Sequence, residues 1–347
     1  MKAVKFGIIG TGAIARVHAE AIRLSGNCEL VCVYDKIPER AAAFAAAHGC
    51  RAAVSLRELL ASEIEAVSIA TPSGLHAETV VPAAAAGKHI ICEKPLEVTI
   101  DKVNHLVRFC ESCNVRLAAI FQSRYFQSVQ VIRRAIDAGR FGQPVLASAS
   151  VRWYRTPEYY ANAGWRGTWA LDGGGALMNQ GIHTVDLLLY FNGDVSEVTG
   201  RTANLRHRNI EVEDTVVAML KFKNGSLGTL EASTACAPGF PRRVELSGTL
   251  GSAMLEGDRI VRWQFAEEMP EDAEIRRVGA LGEGLRGGFD KPDAIDCEGH
   301  RRQFREFAEA LQGGHRLTSP GAEGKRAVEA ICAVYESART GTTVKFL

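Results

Sequence analysis

The stretch Phe6-Gly7-Ile8-Ile9-Gly10-Thr11-Gly12-Ala13-Ile14-Ala15 decides the fold. Phe6-Gly7-Ile8-Ile9 is a short continuous apolar run, which marks a strand covered on both faces rather than one with a wet side. It leads directly into G-x-G-x-x-A, and a helical pattern over 13–24 follows. Gly10 permits a tight turn, Gly12 lets the backbone approach a pyrophosphate, and Ala15 lets helix and strand pack closely. Phosphates are then expected on the free N–H groups of the helix N-terminus, with Thr11, Ala13 and Ile14 in the same cradle.

Working outward, further apolar runs recur at Leu30-Val31-Cys32-Val33-Tyr34, Ala66-Val67-Ser68-Ile69-Ala70, His89-Ile90-Ile91-Cys92 and Leu117-Ala118-Ala119-Ile120. Helical stretches lie between them over 38–48, 56–62, 77–86 and 100–113, and Gly49 and Gly87 stand where helices should stop. Strict alternation of strand and helix predicts an α/β domain over residues 1–122, with a doubly wound parallel sheet of the Rossmann kind. The texture then changes. Residues 123–347 are expected to form a C-terminal α+β domain for substrate and oligomerisation, with a large, mostly antiparallel open sheet. Its markers are a helix over 129–138, strands over 144–153, 215–222, 226–232, 244–248 and 253–256, and an Asn224-Gly225 hairpin turn. A Gly-rich loop is expected over 278–299, then helices near 300–311 and 321–338 and a short strand over 343–346.

A chain of 347 residues suits roughly two domains. A net charge of +1 gives no electrostatic reason for nucleic acid or an anionic membrane. No apolar run reaches the roughly 18 residues that a membrane span needs. The chain enters a strand pattern at once, so no signal peptide is expected. Nine cysteines, an odd number without framework spacing, predict reduced thiols and a cytoplasmic protein. Cys110-Glu111-Ser112-Cys113 has no second pair, so no metal site is expected there.

Asp35 ends the second strand, 23 residues after Gly12. A carboxylate there accepts hydrogen bonds from the adenosine ribose hydroxyls and repels a 2′-phosphate, so NAD is favoured over NADP. Lys36 and Arg40 stand nearby as opposing cations. Thr71, Pro72 and His76 beyond the third strand, Glu93 and Lys94 after the fourth and Gln122 after the fifth complete the expected cofactor contacts, since ligands in open parallel sheets bind at that edge. Pro95 disfavours helical geometry at Lys94. A lysine beside a nicotinamide cation and an apolar crevice is expected to have a lowered pKa and to polarise a substrate oxygen.

The helix over 176–190 carries a second signal. Asn179, His183 and Asp186 share one face of an otherwise apolar segment. His183 suits a general base near neutral pH, with Asp186 as its orienting group. The alternative is a histidine satisfied by internal hydrogen bonds. Residues 153–169 hold three of the four tryptophans and three of the seven tyrosines, interleaved with Arg155 and Arg166. Aromatic faces with guanidinium forks suit a sugar ring, a phosphate or a carboxylate, or else form a packing cluster. Tyr154, Arg155, Tyr160 and Arg124 are the expected substrate contacts, with Asn179 and His183.

These motifs together resemble the Gfo/Idh/MocA family of NAD(P)-dependent sugar oxidoreductases over essentially the full chain. The carriers are the glycine motif, Glu93-Lys94-Pro95, Trp165-Arg166-Gly167-Thr168-Trp169 with Gly173-Gly174-Gly175, and Asn179-Gln180-Gly181-Ile182-His183. The resemblance implies a homodimer or homotetramer built on the C-terminal sheet. It implies Lys94 beside the nicotinamide, His183 at the substrate, and Trp165 and Arg166 reaching the cofactor. Many members carry Asp where this chain has Asn179. The variant looks most like dehydrogenases acting on the 3-hydroxyl of UDP-N-acetylglucosaminuronate.

The function expected is hydride transfer between a secondary hydroxyl of a sugar, sugar acid or nucleotide sugar and NAD. His183 takes the proton, Lys94 steadies the alkoxide and Asn179 orients the hydroxyl. The alternatives are an inositol or free-sugar dehydrogenase, a redox-neutral epimerase or eliminase working through a keto intermediate, and a non-catalytic NAD-sensing regulator.

Overall fold

The computed structural model describes residues 2–161, 164–284 and 296–346. It divides into two compact units, residues 1–122 with 296–325 and residues 123–295 with 326–347. In the first, strands β1 (Val4–Ile9), β2 (Cys28–Tyr34), β3 (Arg51–Ala52), β4 (Ala66–Ile69), β5 (His89–Cys92) and β6 (Leu117–Ala119) alternate with helices α1 (Ala13–Ser25), α2 (Pro38–His48), α3 (Leu56–Ala61), α4 (His76–Ala85) and α5 (Ile100–Ser112). The sheet order is β3-β2-β1-β4-β5-β6, and every pairing is parallel. The expected doubly wound sheet is therefore present. β3 had not been expected, because Arg51-Ala52 offers no apolar run to read.

The second unit contains α6 (Gln127–Asp137), β7 (Pro144–Arg152), α7 (Pro157–Ala161), a π-helical turn (Ala176–Gly181), α8 (Ile182–Asn192), β8 (Val195–Ala203), β9 (Thr215–Phe222), β10 (Leu227–Ser233), β11 (Arg243–Gly248), β12 (Gly251–Glu256), β13 (Arg259–Phe265) and α9 (Asp272–Gly279). Two further helices, α10 (Glu298–Gly313) and α11 (Gly321–Thr340), and strand β14 (Val344–Lys345) end the chain. The eight-stranded sheet runs β13-β12-β11-β7-β10-β9-β8-β14 and is antiparallel except where β7 meets β10. Asn224-Gly225 turns β9 into β10, with Gly225 at φ 90°. Alternation along β9 buries Val216, Ala218, Leu220 and Phe222 and turns Val217, Met219 and Lys221 outward.

Two expectations need correction. The loop expected over 278–299 begins inside α9 and ends inside α10, and its residues 285–295 lie outside the described residues. The segment 296–325, expected in the C-terminal domain, belongs to the first unit. The reason is apolar burial: α10 sets Phe304 and Phe307 against Phe6 of β1, with ring centroids 5.5 and 6.1 Å apart, in the core shared with Ala15, Ala19 and Ile22 of α1. Burying a phenylalanine is worth about 1.5–3 kcal/mol, so two of them hold the helix in place. Among the described residues no helix is long and apolar enough to cross a membrane.

Candidate active site

In the first unit the expected cofactor residues gather at the C-terminal edge of the parallel sheet. Gly10 sits at φ 89° with its N–H donated to Tyr34 O at 2.8 Å, and an added Cβ would lie 2.8 Å from Ala70 O. The fold itself therefore demands glycine at 10. Gly12 is different. Its φ is −74°, open to any residue, and a Cβ there would meet nothing within 4 Å. The free space lies over the start of α1, which has no side-chain cap and no acidic residue in its first turn. Uncapped N–H groups beside an open cradle fit a pyrophosphate.

Asp35 stands just beyond β2. Its Oδ2 accepts from Thr11 N at 2.8 Å and Thr11 Oγ1 at 2.9 Å, and its Oδ1 accepts from Ile37 N at 2.9 Å. Partial burial pushes its carboxyl up, but the N–H groups of Ile37 and Thr11 outweigh that and hold it below the usual range. A fixed anion thus stands beside the cradle. Thr71 Oγ1 and Gln122 Oε1 are buried with no hydrogen-bond partner among the described residues. Buried polar atoms left open in this way fit the amide and hydroxyl groups of a dinucleotide.

Two expected cofactor contacts are structural instead. His76 is fully buried, with Nδ1 2.9 Å from Pro95 O and Nε2 3.0 Å from Thr71 O, so it ties the segment after β4 to the segment after β5. Burial pushes its pKa down. Glu93 is buried, its side chain 9% exposed. Its Oε1 lies 3.0 Å from His18 Nε2, and its Oε2 accepts from the backbone N–H of Lys94 at 3.0 Å. His18 Nδ1 lies 2.8 Å from Ser68 Oγ, and His300 Nε2 of α10 lies 3.9 Å from Glu93 Oε1. Burial works against ionising Glu93, but the His18 hydrogen bond and neighbouring positive charge prevail and set its pKa at about 2. Burial, then the neighbouring His18 charge, lowers His300 to about 4. This buried cluster braces the backbone from which half-buried Lys94 projects. His18, Ser68 and His300 were not anticipated: single polar residues on apolar elements read as core.

In the second unit, the helix expected over 176–190 is a π-helical turn followed by α8, the kind of bulge that often marks a functional site. Glu213 and Tyr335 build it. Glu213 Oε2 accepts from Gly175 N at 2.9 Å, its Oε1 accepts from Leu177 N at 2.8 Å, and its carbonyl accepts from Ala176 N at 3.1 Å. Tyr335 Oη accepts from Met178 N at 3.1 Å and donates to Glu213 Oε1 at 2.9 Å. Four successive N–H groups are thereby held. The glycines make room: a Cβ on Gly174 would lie 2.2 Å from Tyr335 Oη, and one on Gly175 would lie 2.0 Å from Glu213 O. Burial pushes the Glu213 carboxyl up to about 7.

Asn179 lies within the π turn and His183 in the first turn of α8, both half-buried. Asn179 Nδ2 donates to Asp172 Oδ1, and Asn179 Oδ1 accepts from Gln180 Nε2 at 2.5 Å. Asp172 and Glu213 were missed as site residues. Asp172 directly precedes Gly173-Gly174-Gly175, a run that the sequence offers only as a carrier of the family resemblance.

The remaining expectations divide. Asp186, expected as the orienting group of His183, is held in an ion pair with Arg124, and with both side chains 1% exposed Arg124 is part of the buried interior. Tyr160 is buried, with its hydroxyl 2.8 Å from Thr234 Oγ1, and packs edge-on against Tyr159, so it is core. Arg155 is 3% exposed and donates to Gln180 Oε1 through Nη2 at 2.7 Å. Tyr154 is half-buried and accepts from Arg206 at 3.0 Å. Trp165 and Arg166 are half-buried; the Arg166 guanidinium lies 4.1 Å from the Tyr159 ring centre and 5.4 Å from that of Trp165.

Residues 4–121 match the model of an oxidoreductase family with an NAD-binding Rossmann fold, and residues 129–254 match the GFO/IDH/MocA C-terminal domain. Over its whole length the chain is similar to a WlbA dehydrogenase from Bordetella pertussis solved with NADH and UDP-GlcNAcA, at 33% identity, TM-score 0.88 and coverage of 100% and 99% of the two chains. The WlbA dehydrogenase of Chromobacterium violaceum, solved with the same two ligands, gives 32% identity and TM-score 0.89 with 100% and 97% covered. An inositol 2-dehydrogenase of Rhizobium meliloti is 27% identical over 337 residues, covering 94% of each chain. The chain belongs to the GFO/IDH/MocA family and is an NAD-dependent oxidoreductase.

Proposed function

We propose that the enzyme oxidises a secondary hydroxyl of a nucleotide sugar, the 3-hydroxyl of a UDP-sugar acid being the first candidate. The observation that carries this is the full-length likeness, at 33% identity, to a dehydrogenase solved with NADH and UDP-GlcNAcA. NAD, when bound, supplies the hydride acceptor. His183 takes the proton of the hydroxyl on its imidazole. The Lys94 ammonium steadies the negative charge that develops on the same oxygen, the type of preorganised electrostatic aid that dominates many enzyme rates. Asn179 orients the hydroxyl. Trp165 and Arg166 contact the cofactor, and Tyr154 borders the substrate.

The test is a screen of UDP-GlcNAcA, free sugars and inositols with NAD and NADP, followed by reduced-nicotinamide absorbance. Turnover confined to the UDP-sugar supports the proposal. Turnover of myo-inositol alone would establish the second reading, which the full-length match to an inositol 2-dehydrogenase favours. Lys94→Ala and His183→Ala should each lower kcat by about a hundredfold or more while NADH still binds.

The outward face of the eight-stranded sheet carries Leu146, Val217, Met219 and Leu227, exposed by 56%, 52%, 64% and 55%. Leu146 and Leu227 are register partners. Grouped apolar side chains of this kind mark an association surface, and a second copy of the chain is its proposed occupant. Light scattering at rising concentration tests this, and a monomer throughout would refute it.

A further inference from the structure

The second unit contains a hydrogen-bond chain with a fixed direction. Arg155 donates to Gln180 Oε1 through Nη2 at 2.7 Å and Nε at 3.1 Å. Gln180 Nε2 donates to Asn179 Oδ1 at 2.5 Å and to Tyr159 Oη at 2.8 Å. Asn179 Nδ2 donates to Asp172 Oδ1, and Asp172 Oδ2 accepts from the backbone N–H of Gly167 at 2.8 Å. One end is a guanidinium, which only donates, and the other is a carboxylate, which only accepts. Between such ends each amide has a single orientation that satisfies both neighbours. Asp172 is 1% exposed and Arg155 3%, so both ends of the chain are shielded from bulk solvent.

We infer that Asp172 is a positioning residue for the alcohol chemistry: its carboxylate fixes the Asn179 amide and, with it, the π turn that leads into His183. This rests on the proposed role of His183. Asp172 also binds the Gly167 N–H, so the Trp165–Arg166 segment and the π turn share one anchor. Neither Glu213 nor Tyr335, which hold the backbone of the turn, sets the orientation of the Asn179 side chain.

The geometry makes an unusual prediction about exchange. Asp172→Asn gives one oxygen to two donors, Gly167 N–H and Asn179 Nδ2. Asn179→Asp sets two carboxylates face to face. The double exchange keeps every link: the new amide at 172 accepts from Gly167 and donates to the new carboxylate at 179, which still accepts from Gln180. With UDP-GlcNAcA and NAD as probes, each single variant should lose about tenfold to a hundredfold in kcat, Asn179→Asp with KM for NAD unchanged, and the double should recover at least about tenfold over the weaker single. Urea unfolding of the same four proteins should show the double more stable than either single. An Asp172→Asn enzyme with parent-like kcat, or losses that simply add in both measurements, would overturn the inference. Parent-like turnover in His183→Ala would refute the base assignment separately, because the unfolding cycle still decides the Asp172 link.

Discussion

Arg124 grips Asp186 with two hydrogen bonds, Nε to Oδ2 at 2.9 Å and Nη2 to Oδ1 at 2.6 Å. Both side chains are 1% exposed, and the Arg124 guanidinium also lies 4.5 Å from the centre of the Tyr190 ring. Removing one member leaves a buried charge without its partner. Arg124→Ala and Asp186→Ala should each cost about 3–5 kcal/mol, and the double replacement should cost clearly less than the two combined. Chemical denaturation of the four proteins measures this.

Gly10 and Gly12 should behave oppositely. Gly10→Ala forces a Cβ against Ala70 O at a positive φ, so the fold should lose about 2 kcal/mol or more. Gly12→Ala meets no protein atom, so stability should change by less than about 0.5 kcal/mol. Its NADH dissociation constant should nonetheless rise about tenfold or more, because the methyl group occupies the phosphate cradle. Thermal melts paired with NADH fluorescence titration separate the two effects.

The role proposed for Asp35 is to set the cofactor preference through charge. Asp35→Asn keeps the size of the side chain and removes its repulsion of a 2′-phosphate. The ratio of NADPH to NADH dissociation constants should fall by about tenfold or more. An unchanged ratio would shift the discrimination to Lys36 and Arg40.

Acid should weaken the first unit early. His300 has a pKa of about 4 in the folded protein, against an ordinary 6.5, so between those values the unfolded chain takes up a proton that the native state refuses. Stability therefore falls as pH drops below 6.5, by about 2 kcal/mol at pH 5 from this group. Glu93, lowered from 4.5 to about 2, adds a loss that begins near pH 4.5 and continues down through pH 2. Glu213 acts in reverse: raised from 4.5 to about 7, it favours the native state below pH 4.5, and that contribution fades as pH rises through 7. Urea titrations across pH 4–8 for the parent and His300→Gln measure the His300 share, and the variant should show the flatter profile.

The parallel sheet was legible because buried strands leave continuous apolar runs, and β1, β2, β4, β5 and β6 all have one. The cradle was legible because Gly10 and Gly12 lie in a fixed register with a strand and a helix. What escaped reading was long-range. By spacing, Asp186 reads as a partner for His183, three residues away on the same helix, yet it is paired with Arg124, 62 residues back. The π turn has no period that sets it apart from an α-helix, since its cause is Glu213 and Tyr335, far along the chain. Asp172 looked like a loop residue because nothing local names Asn179 as its donor.

The position of α10 bears on how this protein is made. The core beneath Phe6 lacks two of its aromatic rings until residues 298–313 have left the ribosome. The nucleotide-binding half is thus begun before the intervening residues 123–295 and completed only after they have emerged. A nascent chain stalled before that point would display the side of Phe6 that Phe304 and Phe307 later cover, a sticky surface of the kind chaperones hold.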